Sequence, residues 1–405
     1  MLLIMPNKYS TYYSLKNPCN RYVLLWMLYF LQGLLFPQGG AVGRLIIVLF
    51  LSLSLYHFFK ANTVAGKPVF FRAINLLVII ISVYGVIRIV GGVDIYRSDG
   101  VLQNPTIFIK NYCISLLPIY AMYNYCREGY IDENWLFAWS FVFLAYLIVR
   151  FYSSYFMALQ SSVASGFESD ILTNNAGYLF VSFMCLLPVL SRKPIIQYSM
   201  VVLCGLFVIQ SAKRGAVICF AICLIVLIIY NLRSANKSKK VIIIALSLAG
   251  LFGVFAYFNH MITTNMAFAN RFVLSIENSS GRDDLYIMFI QYLKNDLNLF
   301  TFLFGKGADA TIILSGNFAH NDWLEFAVDM GLLGVFAYSF FFVRFYKLIK
   351  CSSDNMARLI ALMLFLPFVL KSVFSMAIGD FQIFECAALA ICLKSQSGLS
   401  IHEKV

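Results

Sequence analysis

Ile195 to Asn231 reads IIQYSMVVLCGLFVIQSAKRGAVICFAICLIVLIIYN: two apolar runs interrupted by the five residues Ser211-Ala212-Lys213-Arg214-Gly215. A helix rises about 1.5 Å per residue, so roughly 20 apolar residues cross a hydrocarbon core about 30 Å thick. Outward from this pair the pattern recurs along all 405 residues, which are 61% hydrophobic and 12% charged, with mean hydropathy +0.79. Soluble domains carry about 25% charged residues. The composition therefore excludes a soluble enzyme, a secreted disulfide scaffold and a disordered regulator. The runs predict an all-α polytopic membrane protein with about twelve transmembrane helices. They lie at 20–36, 41–59, 70–92, 105–123, 135–152, 176–190, 195–211, 215–231, 241–258, 322–345, 358–376 and 380–393.

The net charge is +12, but the basic residues recur in short segments between apolar runs instead of forming one patch. That distribution is a topology signal and argues against a nucleic-acid partner. With the N-terminus cytoplasmic, the cytoplasmic side takes 19 of the 31 Lys and Arg residues against five acids. Both termini are therefore expected in the cytoplasm. The first run lacks a small-x-small cleavage site and reads as a retained span. The ten cysteines include no CxxC pair and only four histidines are present, so neither a zinc site nor a disulfide framework is expected. The expected organisation is helices 1–9 over 1–258, a far-side loop over 259–321, and helices 10–12 with the tail over 322–405.

A loop of that length is usually functional. Within it, Asp284 to Leu297 places Leu285, Met288, Phe289, Tyr292 and Leu293 at helical spacing, predicting an amphipathic helix on the membrane surface or capping the bundle. A shorter far-side loop, 150–177, contains Glu168.

Three far-side segments are unlike lipid-facing helix. Lys213 and Arg214 sit together in a turn on the side that the positive-inside rule depletes. Arg282 precedes Asp283 and Asp284, whose carboxylates suit the free N–H groups of a helix start, an environment that also favours an anion. His320-Asn321 opens a third segment in which Asp322 and Glu325 have capping-box spacing. Gly331 and Gly334 there lie three apart, predicting one helix face that a neighbour approaches closely.

SAKRG, then SGRDDL, then AHNDWLEFAVDMGLLG, in that order, resemble the bacterial O-antigen polymerase and O-antigen ligase family. The resemblance covers about residues 175–350, and the first 150 residues add only span count. Lys213 is a departure, since the family more usually has a small or hydroxyl residue there. The resemblance implies a multi-span inner-membrane glycosyltransferase, similar to the glycosyltransferase-C class, with a large periplasmic loop and a periplasmic active site. It implies a polyprenyl-diphosphate-linked oligosaccharide as donor and as acceptor, no cofactor or metal, and a chain-length regulator as candidate partner beside the lipid bilayer.

Side-chain chemistry agrees. Arginine forks bind phosphate oxygens in pairs and stay protonated, so Arg214 and Arg282 are the expected clamp on the diphosphate, with Lys213 beside them. Histidine takes a proton near neutral pH, so His320 is the expected base or orienting group for the acceptor hydroxyl. Asn321, Asp283, Glu325 and Glu168 are candidate substrate contacts. Phe (39) and Tyr (24) are abundant, as in the family's divergent polymerases, so a polymerase is favoured. The alternatives are a ligase that transfers polymer to lipid A core, and, from another class, a polysaccharide or lipid flippase. A flippase would place its ionisable residues near mid-membrane, whereas here they gather at the far interface.

Overall fold

The first expected runs fold as α1 (Pro18–Leu35), α2 (Ala41–Thr63) and α3 (Phe71–Gly91). The computed structural model describes residues 12–35, 40–64, 66–98, 100–165, 174–269, 272, 282–295 and 298–397. After α3 a short antiparallel pair, β1 (Ile95–Tyr96) and β2 (Leu102–Gln103), joins Ile95 to Gln103 and Tyr96 to Leu102. The run at 105–123 is divided into α4 (Pro105–Leu116) and α5 (Pro118–Arg127). Pro118 has no amide hydrogen to continue the ladder, so a new helix starts there. Next come α6 (Glu133–Ser165) and α7 (Gly177–Phe183), which tightens into a 3-10 helix over Met184–Leu190 that contains Pro188.

The opening pair of runs forms α8 (Pro194–Gln210) and α9 (Arg214–Ser234), followed by α10 (Lys237–Thr264) and the single turn α11 (Met266–Ala269). Then follow α12 (Arg282–Asn295), α13 (Leu299–Phe304) and α14 (Ala310–Ser315). The chain ends with α15 (Asp322–Cys351), α16 (Asn355–Phe374), a 3-10 turn over Ile378–Asp380 and α17 (Ile383–Ser397).

Among the described residues seven helices are long and apolar enough to cross a membrane: α2, α3, α6 over Glu133–Phe156, α9, α10, α15 and α16. The protein is thus all-α and polytopic. The outer surface agrees. On α10, Val241, Leu248, Phe252 and Phe255 are each at least 60% exposed, which suits lipid as the surrounding solvent. The interior is aromatic: Phe70, which caps α3, packs with Phe341 and Phe345 of α15 and Phe365 and Phe368 of α16 through tilted and edge-on ring contacts.

α12 has the expected amphipathic face. Phe289 is fully buried, with Leu285, Met288, Tyr292 and Leu293 around it, against Ala310, Val328 and Leu324. It caps the bundle.

α15 departs from expectation in two respects. Its cap is Asn321, whose Oδ1 accepts from the Trp323 and Leu324 amides at 2.9 and 3.2 Å, and not Asp322. Second, Gly331 (φ 62°, ψ −152°) breaks the helix. That backbone region is almost confined to glycine. The carbonyls released at the break are taken up, since the amides of Lys306 and Gly307 donate to Val328 and Asp329, each at 2.9 Å. A Cβ on Gly331 would lie 2.5 Å from the Gly305 nitrogen, so backbone meets backbone there. Gly334 makes no such contact: its Cβ would meet Met330 and Phe326 of the same helix. The glycines therefore permit a break and one close crossing, not a shared face.

Candidate active site

Buried polar groups tie the segment before α15 to the bundle. Arg88, in the last turn of α3, pairs through Nε with Asp309 Oδ2 at 3.2 Å, and Gln103 Nε2 donates to Asp309 Oδ1 at 3.3 Å. Asp329 accepts from the Asp309 and Thr311 amides at the start of α14, both at 3.1 Å. Glu325 accepts the Thr311 hydroxyl at 2.6 Å on one oxygen and the Ala319 amide at 2.8 Å on the other. Asp322 Oδ2 accepts from Tyr338 Oη at 2.6 Å and from the Ala377 amide at 2.8 Å. Unpaired buried carboxylates would be costly; here each holds one segment against another. Burial raises the Asp309 carboxyl, and Arg88 and Gln103 pull it partly back.

This scaffold delivers His320 to a cavity of about 350 Å³. Its walls come from helix ends far apart in sequence. Arg97 directly follows β1, Gln103 ends β2, and Phe108, Asn111 and Tyr112 come from α4. Asn175 and Tyr178 enter from the start of α7, and Lys371 and Ser375 from the end of α16. Gly379 and Asp380 follow from the 3-10 turn, and Glu325 from α15.

His320 has φ 52°, a left-handed conformation that histidine tolerates better than most side chains. Tyr286 of α12 places its hydroxyl 3.2 Å from the His320 carbonyl and 3.3 Å from that of Val373, within donating distance of both. Arg282 Nη1 donates to the Phe374 carbonyl at 2.5 Å, so α12 is fastened to the end of α16. Burial, then the charges of Arg282, Lys213 and Arg97, lower the His320 imidazole from its ordinary 6.5 to about 4. Its ring is therefore neutral at pH 7, beside three cations. Arg97 also lies over the Phe318 ring at 5.4 Å.

The SAKRG turn packs on the start of α7. Ala212 has φ 52°, and the Asn174 amide donates to the Ser211 carbonyl at 3.0 Å. A Cβ on Gly215 would collide with the Tyr178 hydroxyl, and one on Gly177 with Ser211. The turn thus abuts a residue that lines the cavity. Tyr178 in turn lies under the Lys371 ammonium, 5.3 Å from its ring centre, and Lys371 is ion-paired with Asp380.

Of the residues expected from sequence, His320 and Glu325 line the cavity, and Lys213 and Arg282 act on the His320 ring. Asn321 is the helix cap, and Asp283 is exposed in the first turn of α12. Arg214 opens α9 beside Lys213, outside the cavity lining. Glu168 lies outside the described residues. Sequence reasoning missed Arg97, Tyr178 and Asp380. Lys371, a charge inside an apolar run, was the available signal for the last pair. Among the described residues no three His, Cys, Asp or Glu side chains converge as a metal site would need.

No curated protein matches the chain significantly. Residues 199–339, about a third of its length, match the family model described as O-antigen ligase. The matched stretch contains the SAKRG turn, α12, His320 and the α15 break. It is this region, which holds most of the expected site, that is similar to the family described as O-antigen ligase.

Proposed function

We propose that the protein is a bacterial inner-membrane glycosyltransferase that polymerises polyprenyl-diphosphate-linked O-antigen, or related surface-polysaccharide, repeat units at the periplasmic face. The observation that carries this reading is that His320 and Arg97 line one cavity, with Lys213 and Arg282 near enough for their charges to help keep the imidazole neutral. A lipid-linked diphosphate needs fixed cations, and a sugar hydroxyl needs a proton acceptor. In the proposed topology twelve spans alternate from a cytoplasmic N-terminus. Every segment lining the cavity then falls at the far end of its span, which supports a periplasmic site.

In this reading Arg214, Arg282 and Lys213 bind the donor diphosphate, and Arg97 joins them. Each charge-assisted contact contributes about 1.5–3 kcal/mol, most usefully as charge develops on the leaving group. The acceptor oxygen attacks the anomeric carbon while His320 accepts its proton. The bond from that carbon to the diphosphate oxygen breaks, and the diphosphate leaves with the electron pair. Glu325, with both oxygens engaged by protein donors, holds the loop that presents His320. Asp283 complements the α12 dipole.

A ligase with the same donor and a lipid A core acceptor is the second reading, favoured by the description of the matched family. The test uses purified protein in nanodiscs with polyprenyl-diphosphate-linked repeat units and no core acceptor. A ladder of polymer is expected, reduced about 100-fold or more in Arg282→Ala and Arg214→Ala proteins. Product only on addition of core acceptor selects the ligase. No product with either acceptor overturns both readings.

A further inference from the structure

Most polar groups around the cavity are spent on the protein. Gln103 and Arg88 hold Asp309, Glu325 holds Thr311 and Ala319, and Lys371 holds Asp380. Three are not. Asn111 on α4 and Asn175 before α7 are exposed cavity residues, and neither carboxamide has a bonding partner among the described residues. The Ser375 hydroxyl is the third, also without a partner among them. Beside these lies Asp380, whose side chain keeps 47% of its surface exposed while Lys371 engages one oxygen, Oδ2. The neighbouring wall, Phe108 and Tyr112, is aromatic.

Resting on the glycosyltransferase reading, we propose that Asn111, Asn175, Ser375 and Asp380 form a saccharide subsite, separate in chemistry from the cations near His320. A carboxamide offers two N–H donors and a carbonyl acceptor, and a hydroxyl can both donate and accept. That set matches neighbouring hydroxyls on a sugar ring, each of which also donates and accepts. An ionised carboxylate adds an acceptor, and aromatic faces receive the apolar face of the ring. A diphosphate gains little from these groups, whereas a neutral polyhydroxyl ligand gains little from Lys213, Arg282 and Arg97. The cavity's about 350 Å³ lies within the usual range of small-ligand sites.

The sugar can come from the donor's first residue or from the acceptor's end, and the experiment separates them. Asn111→Ala, Asn175→Ala and the double variant are made in the full chain, in nanodiscs; both positions are exposed, so folding should be retained. At saturating lipid-linked donor, a soluble repeat-unit oligosaccharide is varied as acceptor; the donor is then varied in turn. The double variant should raise KM for one saccharide about tenfold or more, as loss of two hydrogen bonds predicts. The affected substrate tells which sugar is held. Binding of sugar-free polyprenyl diphosphate should change less than twofold. Unchanged KM for both saccharides overturns the subsite, as does an equal loss of sugar-free diphosphate binding. If the wild type makes no product, the transferase reading fails by itself, and direct binding decides the subsite. A preference for sugar-bearing over sugar-free lipid that vanishes in the double variant upholds it, and equal affinities in the wild type refute it.

Discussion

His320 combines a left-handed backbone with an imidazole held near pKa 4 by burial and by Arg282, Lys213 and Arg97. In its proposed role as general base His320 works only when unprotonated, which fixes the sign of the expected pH dependence. For the free enzyme, kcat/KM should stay level from neutral pH down to about 5 and fall as pH approaches the imidazole value. In the proposed reaction a bound diphosphate would set negative charge among the same cations and raise that value. The acid limb of kcat should therefore stand at higher pH than that of kcat/KM. Removing one cation in Arg282→Gln should move the kcat/KM limb upward. An unchanged limb in His320→Gln would assign the titration to another group and remove histidine from proton transfer. The sequence made His320 visible because it stands beside Asn321, Asp322 and Glu325 at the edge of an apolar run. It did not make Arg97 or Asn175 visible, since each reads locally as an ordinary polar residue next to a helix end. Only the fold sets them around one cavity.

At the scale of elements, α15 shows how hydropathy and backbone geometry divide the information. Its apolar length was legible, because lipid imposes about 20 such residues whatever the detail. The break at Gly331 was not, since glycine is equally common where helices merely approach. What decides the matter is the Gly305 backbone, brought to within 2.5 Å of where a Cβ would stand. The φ of +62° and ψ of −152° add a conformation that alanine avoids. Gly331→Ala should therefore lower stability by about 2 kcal/mol or more, read as thermal unfolding in detergent. Because Asp329 stands two residues before the break and holds the start of α14, activity should fall as well. Gly253, where a Cβ would meet nothing within 4 Å, is the control, and its alanine variant should be neutral or slightly stabilising. Equal losses in the two variants would mean that the crossing is not what requires glycine. α12 is the opposite case. Its five-residue apolar face was legible from spacing alone, since periodicity is local, whereas its partners Ala310, Val328 and Leu324 were not.

For the whole molecule, the break sets the height of the site. From Leu332 to Cys351 the second part of α15 is unbroken, and its 20 residues rise about 30 Å, one hydrocarbon thickness. Gly331 then lies at one face of the membrane and Cys351 at the other. The carboxylates that position His320 all precede Gly331, so the cavity belongs to the face opposite Cys351. Charge selects which face that is: Lys347, Lys350 and Arg358 flank Cys351, so its end should be cytoplasmic. Cys351 is the exposed cysteine of the ten, which makes it a native reporter. A membrane-impermeant maleimide should leave it unlabelled in intact spheroplasts and label it in inside-out vesicles. A cysteine introduced at exposed Asn298, just before α13, should behave in the opposite way in a Cys351→Ser background. Both sites labelled from one side would contradict the span through α15. The two patterns exchanged would keep the span but turn the cavity toward the cytoplasm, and the periplasmic reading would fall with it.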